Sequence, residues 1–158
     1  MGTLEIASKS NSGIGAAVGT ISVSGGALTV TTAFTLVSQI DTPTSVGATT
    51  GTLNITGGIV TSDASILDGG GIDACTVILS GGTLNLTGNS IGTTTAPITA
   101  LNFSSGTIEN VAQIDSGATP LVNIGTGTLT LAGTNSYSGG TNVSAGTLIL
   151  SSGLLSYR

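Results

Sequence analysis

The side chains able to do chemistry are few, and their types narrow what that chemistry is. Seven acids stand against two cations, Lys9 and Arg158, and histidine is absent. The usual general base, nucleophile partner and transition-metal ligand is therefore missing, and the many serines have no base to activate them. Asp63, Asp68 and Asp73 lie in or near one polar stretch, and two carboxylates at a suitable separation suffice for glycoside hydrolysis. Such sites normally also hold sugars on aromatic rings, and tryptophan is absent. These acids read as turn caps, so neither a catalytic residue nor a cofactor is assigned. Cys75 is the single cysteine, which excludes an intrachain disulfide. In the apolar run Cys75-Thr76-Val77-Ile78-Leu79 it reads as a small buried hydrophobe, with no cation nearby in sequence to favour a thiolate.

The same polar stretch contains Gly69-Gly70-Gly71-Ile72-Asp73, which is similar to one copy of a calcium-binding nonapeptide repeat. Asp68 and Asp73 are the candidate calcium ligands. Those repeats work in tandem, and this chain carries one defective copy.

Composition excludes several classes of function. Only 6% of the 158 residues are charged and 3% are aromatic, glycine supplies 26 positions, and mean hydropathy is +0.51. A disordered chain needs low hydrophobicity and high net charge; glycine with regular apolar alternation points instead to short strands and tight turns. A net charge of -5 leaves no basic footprint for nucleic acid or for an anionic membrane surface. No apolar run approaches the ~18 residues of a spanning helix. The amino terminus lacks a charged leader followed by an apolar core, and Met1 runs directly into Gly2-Thr3-Leu4. The chain, 1–158, is expected to be one segment excerpted from a longer protein.

The elements that would position any site follow from a repeat. Gly-Thr-Leu-x-Leu or a close variant opens at Gly2, Gly26, Gly51, Gly82, Gly106, Gly127 and Gly146, with spacings of 24, 25, 31, 24, 21 and 19 residues. Two residues past each glycine stand Leu4, Leu28, Leu53, Leu84, Ile108, Leu129 and Leu148. Four past stand Ile6, Val30, Ile55, Leu86, Asn110, Leu131 and Leu150. Alternate residues of a strand share a face, so both columns are expected to face one interior. Before the glycine the expected inward positions are three back (Val23, Ala48, Leu79, Phe103, Ile124, Val143) and five back (Ile21, Val46, Val77, Leu101, Val122, Thr141), all apolar except Thr141. Parity changes across the glycine, so the chain must turn a corner there. Phe34-Thr35-Leu36 and Gly58-Ile59-Val60 are candidate third strands, and loops 67–75 and 91–98 are the variable insertions. A single-stranded parallel β-helix, a β-solenoid of about seven stacked coils, accounts for this pattern; a compact β-sandwich is the alternative. Open strand edges at both ends imply coil-on-coil stacking with further coils of the chain or with a second copy.

Outward columns are rich in threonine: Thr3, Ala27, Thr52, Thr83, Thr107, Thr128 and Thr147, with Asn102, Asn123 and Asn142 forming another. Threonine arrays on a solenoid resemble those of ice-binding proteins. The adjoining column, Glu5, Thr29, Asn54, Asn85, Glu109, Thr130 and Ile149, breaks the lattice, and threonine is a favoured outward strand residue in any case.

The stretch from Gly127 to Leu148 resembles the autotransporter-associated β-strand repeat, also called the passenger-associated transport repeat. Its pattern is met by Gly127, Thr128, Leu129, Leu131, Gly133, Asn135, Tyr137, Gly139, Thr141, Val143, Gly146 and Leu148. The resemblance implies a right-handed β-helical passenger segment of a protein exported through a Gram-negative envelope, extracellular or surface-displayed, in which the repeat assists export or folding and catalyses nothing. The expected function is thus a non-enzymatic stalk or adhesin-type segment. A self-assembling extracellular fibre subunit, an ice-binding solenoid and a polysaccharide-processing β-helix are the alternatives, in that order.

Overall fold

A computed structural model of the chain describes residues 2–9, 15–39, 47–70, 73–117, 120–123 and 125–151. Its strands are β1 (Thr3–Lys9), β2 (Ala17–Val30), β3 (Ala33–Gln39), β4 (Thr49–Ser62), β5 (Ile66–Asp68), β6 (Asp73–Asn85), β7 (Ala100–Glu109), β8 (Leu121–Asn123), β9 (Thr128–Ala132), β10 (Thr141–Val143) and β11 (Thr147–Ser151). Every pairing among them is parallel. The large sheet runs β2-β4-β6-β7, after which β8 and β9 both pair with β7, β10 with β8 and β11 with β9. A smaller sheet, β1-β3-β5, is continued by bridges from Ile66 to Ile91 and from Ile91 to Ile114. Chain order alternates between the two sheets, which is the path of a coil wound on itself: a parallel β-solenoid.

The interior is a set of aliphatic columns. On the first face Ile21, Leu53, Val77 and Leu101 stand in register, as do Val23, Ile55, Leu79 and Phe103. Beyond the corner one column reads Leu28, Val60, Leu84, Ile108, Leu131 and Leu150. The third side contributes Leu4, Phe34, Ile66, Ile91 and Ile114. Leu53, Leu79, Leu84, Phe103, Ile108 and Leu129 are fully enclosed, whereas Leu28 and Leu148, nearer the two ends, are half-buried. A strand that is apolar at every second position can bury one face only when another rung lies above and below it, so exposure rises toward the end rungs.

The corner has one sequence cause. Gly26, Gly58 and Gly82 all hold φ near +70° (69°, 70° and 70°). A β-carbon on Gly58 would lie 2.6 Å from the Gly26 carbonyl oxygen, and one on Gly82 would lie 2.6 Å from that of Gly58. Each corner thus rests backbone-on-backbone against the previous one, a left-handed and crowded position that only glycine fits.

This register corrects the repeat phase in three places. Gly51 lies within β4 opposite Gly19 and Cys75, and the corner of its coil is Gly58. Gly58-Ile59-Val60 is therefore corner and second face, while Phe34-Thr35-Leu36 lies in β3 on the third side as expected. Gly127 is two residues out of step with Gly106, because Gly106 pairs with Leu129 and Ile108 with Leu131. Gly2 precedes β1, which pairs with β3 in the small sheet and not with the corner series. The column from Leu28 to Leu150 accordingly advances by 32, 24, 24, 23 and 19 residues. Among the backward columns Ala48 and Thr141 are exposed and Val143 is 44% exposed; Val46 and Ile124 lie outside the described residues.

Candidate functional site

Two regions stand apart from the plain ladder: the edge where the third side returns to the large sheet, and the last coil. The connections 10–16, 40–48, 69–72, 92–99 and 115–120 each join the third side to the next strand of the large sheet. The expected insertions 67–75 and 91–98 therefore share one edge, although Ile66 to Asp68 and Ile91 themselves are ladder residues.

Asp63 and Asp68 stand at separate turns. Asp63 is exposed, and its N–H donates to the Val30 carbonyl oxygen. Asp68 Oδ1 accepts the Gly70 N–H at 2.8 Å, the turn-capping use of a carboxylate. Asp73 heads β6 opposite Thr49, while Gly71 and Ile72 lie outside the described residues. Among the described residues no three metal-ligating side chains gather. Cys75 is enclosed in β6, and its N–H donates to Thr99 Oγ1 at 3.1 Å. The carboxylate that sequence reading missed is Asp115, 5% exposed at a single 3-10 turn. Asp-Ser-Gly is a common turn sequence, and nothing local marks this acid as buried.

The threonine columns are shorter than the repeat phase implies. The outward column beside the corner reads Ala27, Ile59, Thr83, Thr107, Thr130 and Ile149. Thr52 belongs to the first face with Thr20 and Thr76, and Asn123 pairs with Phe103 rather than Asn102.

The last coil is held by side chains where backbone pairing lapses. Asn110, which interrupts an inward column in the sequence, lies beyond β7 at φ 54°. Its Nδ2 donates to Asn85 Oδ1 at 3.1 Å, and its Oδ1 accepts the Thr134 N–H at 3.0 Å. Asn135, 5% exposed, accepts the Val111 N–H on Oδ1 at 3.0 Å and donates from Nδ2 to the Ala132 carbonyl at 2.9 Å. Gln113 Oε1 accepts the Ser138 N–H at 3.0 Å. Asparagine and glutamine each carry a donor and an acceptor, so they substitute for ladder bonds across a coil junction. Asn135→Ala leaves the buried Val111 N–H without its acceptor and is expected to cost about 1–3 kcal/mol, read as a lowered urea midpoint.

Tyr137 is packed in the core at 9% exposure, with its hydroxyl 2.7 Å from Thr141 Oγ1. Burial pushes its phenol above the usual 10.0, against a smaller opposing effect of the Thr141 hydrogen bond. The folded state therefore keeps this proton at a pH where the unfolded chain has lost it. Stability from this group is full below about pH 10 and falls as pH rises through the folded value. Tyr137→Phe should remove that alkaline loss while costing about 1 kcal/mol at neutral pH; thermal unfolding from pH 8 to 11 checks both.

Asn135, Tyr137 and Thr141 are residues of the motif, and comparison with known proteins converges on the stretch that holds them. The family model described as Passenger-associated-transport-repeat matches residues 121–150. No curated protein matches the chain, and no solved structure does. The matched span begins at β8 and ends within β11, so the last two rungs of the large sheet carry a passenger-associated transport repeat.

Proposed function

We propose that this chain is a non-enzymatic structural segment of an autotransporter passenger, an excerpt of a longer β-helix displayed outside a Gram-negative cell. The observation that carries it is the repeat at 121–150, which continues the same parallel ladder as the coils before it. Right-handed winding accords with the sense that parallel crossover connections take. The mechanism is mechanical: a stiff stack of coils holds its insertions along one edge. Placed between a secretion signal and an outer-membrane barrel in a Gram-negative host, the segment should appear at the surface, protease-resistant, and deletion of 121–150 should greatly reduce that display. Equal display with and without 121–150 would contradict the reading.

A second reading, stacking into fibres, is favoured by the rungs nearest the two ends. Leu150 is 53% exposed although its column is interior elsewhere, and Leu28 is half-buried at the opposite end. The partner is then a second copy or further coils of the same chain. Electron microscopy over a concentration series should show filaments a few nanometres wide that Leu150→Lys abolishes; discrete short particles at every concentration would remove this reading.

A further inference from the structure

Insertion 92–98 is fastened differently at its two levels. Its outer part closes on itself: the Thr93 N–H donates to the Ala96 carbonyl at 3.1 Å, and the Ala96 N–H donates to Thr93 Oγ1 at 3.1 Å. Thr94, Thr95 and Pro97 face solvent. Its inner part is tied to the next coil. Ile98 is 5% exposed within the core, and its N–H donates to Asp115 Oδ1 at 3.0 Å, a bond enclosed on all sides.

Three features mark Asp115 as built for that bond. It is 5% exposed, where an acid is found only when something holds it. Its φ is 44°, a sparsely populated conformation for a residue with a side chain. Opposite it stands Gly92, where a β-carbon would overlap the carboxylate oxygen and lie 3.0 Å from the Ile98 nitrogen. Asp115 directly follows Ile114, which bridges Ile91, and its own N–H donates to the Ile91 carbonyl at 2.8 Å. The winding of the following coil is thus what brings the carboxylate to the base of the insertion.

We propose that Asp115 is a latch: it fastens insertion 92–98 as a strap across the return edge, and the strap closes only when the following coil has wound. Without the carboxylate the enclosed Ile98 N–H has lost its acceptor, and the strap opens while β6 and its neighbours stay paired.

Amide hydrogen exchange on the full chain tests this, with limited proteinase K digestion beside it. Asp115→Ala should raise exchange at Ile98 by roughly ten- to a hundredfold, the factor expected when a buried donor loses its acceptor, and should admit cleavage within 93–97. Val77 and Leu79 in β6 should exchange as in the parent chain. Asp115→Asn, which keeps an acceptor oxygen, should stay near the parent. Gly92→Ala should open the strap independently, by displacing the carboxylate. Unchanged protection of Ile98 in a folded Asp115→Ala or Gly92→Ala chain would overturn the latch. Loss of β6 protection together with Ile98 in both variants would also overturn it, making Asp115 a general core residue.

Discussion

Leu84→Asp is expected to abolish the cooperative thermal transition of the chain. Leu84 is fully enclosed between Val60 and Ile108 of the same column, and the sequence has only Lys9 and Arg158 as cations. An unpaired carboxylate there either stays charged in an apolar interior or is forced to hold a proton, and it also forfeits the leucine contacts. The combined loss is about 4 kcal/mol or more, against a typical domain stability of about 5–15 kcal/mol. The neighbouring Thr83 faces outward in register with Ile59 and Thr107, so Thr83→Asp should shift stability by less than ~1 kcal/mol. Circular dichroism melts of both variants check this; equal losses would refute the inward-outward alternation.

Gly82→Val should be nearly as damaging, for a backbone reason. Its φ of 70° costs a residue with a β-carbon about 1–2 kcal/mol. The same β-carbon would stand 2.6 Å from the Gly58 oxygen and 2.7 Å from the Gly57 carbonyl carbon, an overlap with rigid backbone worth a further ~1–3 kcal/mol. Gly25, also beside a corner, has open space where a β-carbon would go. Urea titration of both variants checks this: Gly25→Ala should be near neutral, and a loss matching that of Gly82→Val would mean that the stacked corner is misplaced.

The solenoid was legible because its signal is periodic. Leu53, Leu79, Leu84 and Ile108 recur at positions where a strand must point inward, and Phe34 to Leu36 read as a third side and prove to be one. The phase was less legible, since Gly51-Thr52-Leu53-Asn54-Ile55 copies the local motif while its glycine sits mid-strand. The truer marker is the doublet at Gly57-Gly58 and Gly81-Gly82, because a β-carbon on any of these four residues would strike the backbone of the preceding coil, with Gly25-Gly26 as its copy at the first corner. The slip at Gly127 was hidden for a related reason: Gly106 and Gly127 look equivalent, but pairing is decided by Ile108 meeting Leu131. Within the last coil the motif residues Asn135, Tyr137 and Thr141 were visible as letters, whereas Val111, the partner of Asn135 24 residues earlier, follows from the winding. Asp115 could not be read at all, since its acceptor role depends on Ile98, 17 residues earlier, being folded beneath it.

Pulsed electron spin resonance reads the stacking order of the coils as a series of distances. With Cys75 replaced by alanine, nitroxide labels would be placed in pairs at Ala27 with Thr107, Thr130 or Ile149, outward positions three, four and five rungs apart. In a parallel solenoid the mean distances lengthen by about 4.8 Å per rung, to roughly 24 Å for the widest pair. Distances that fail to grow along this series, as in a β-sandwich that folds the chain back on itself, would contradict it.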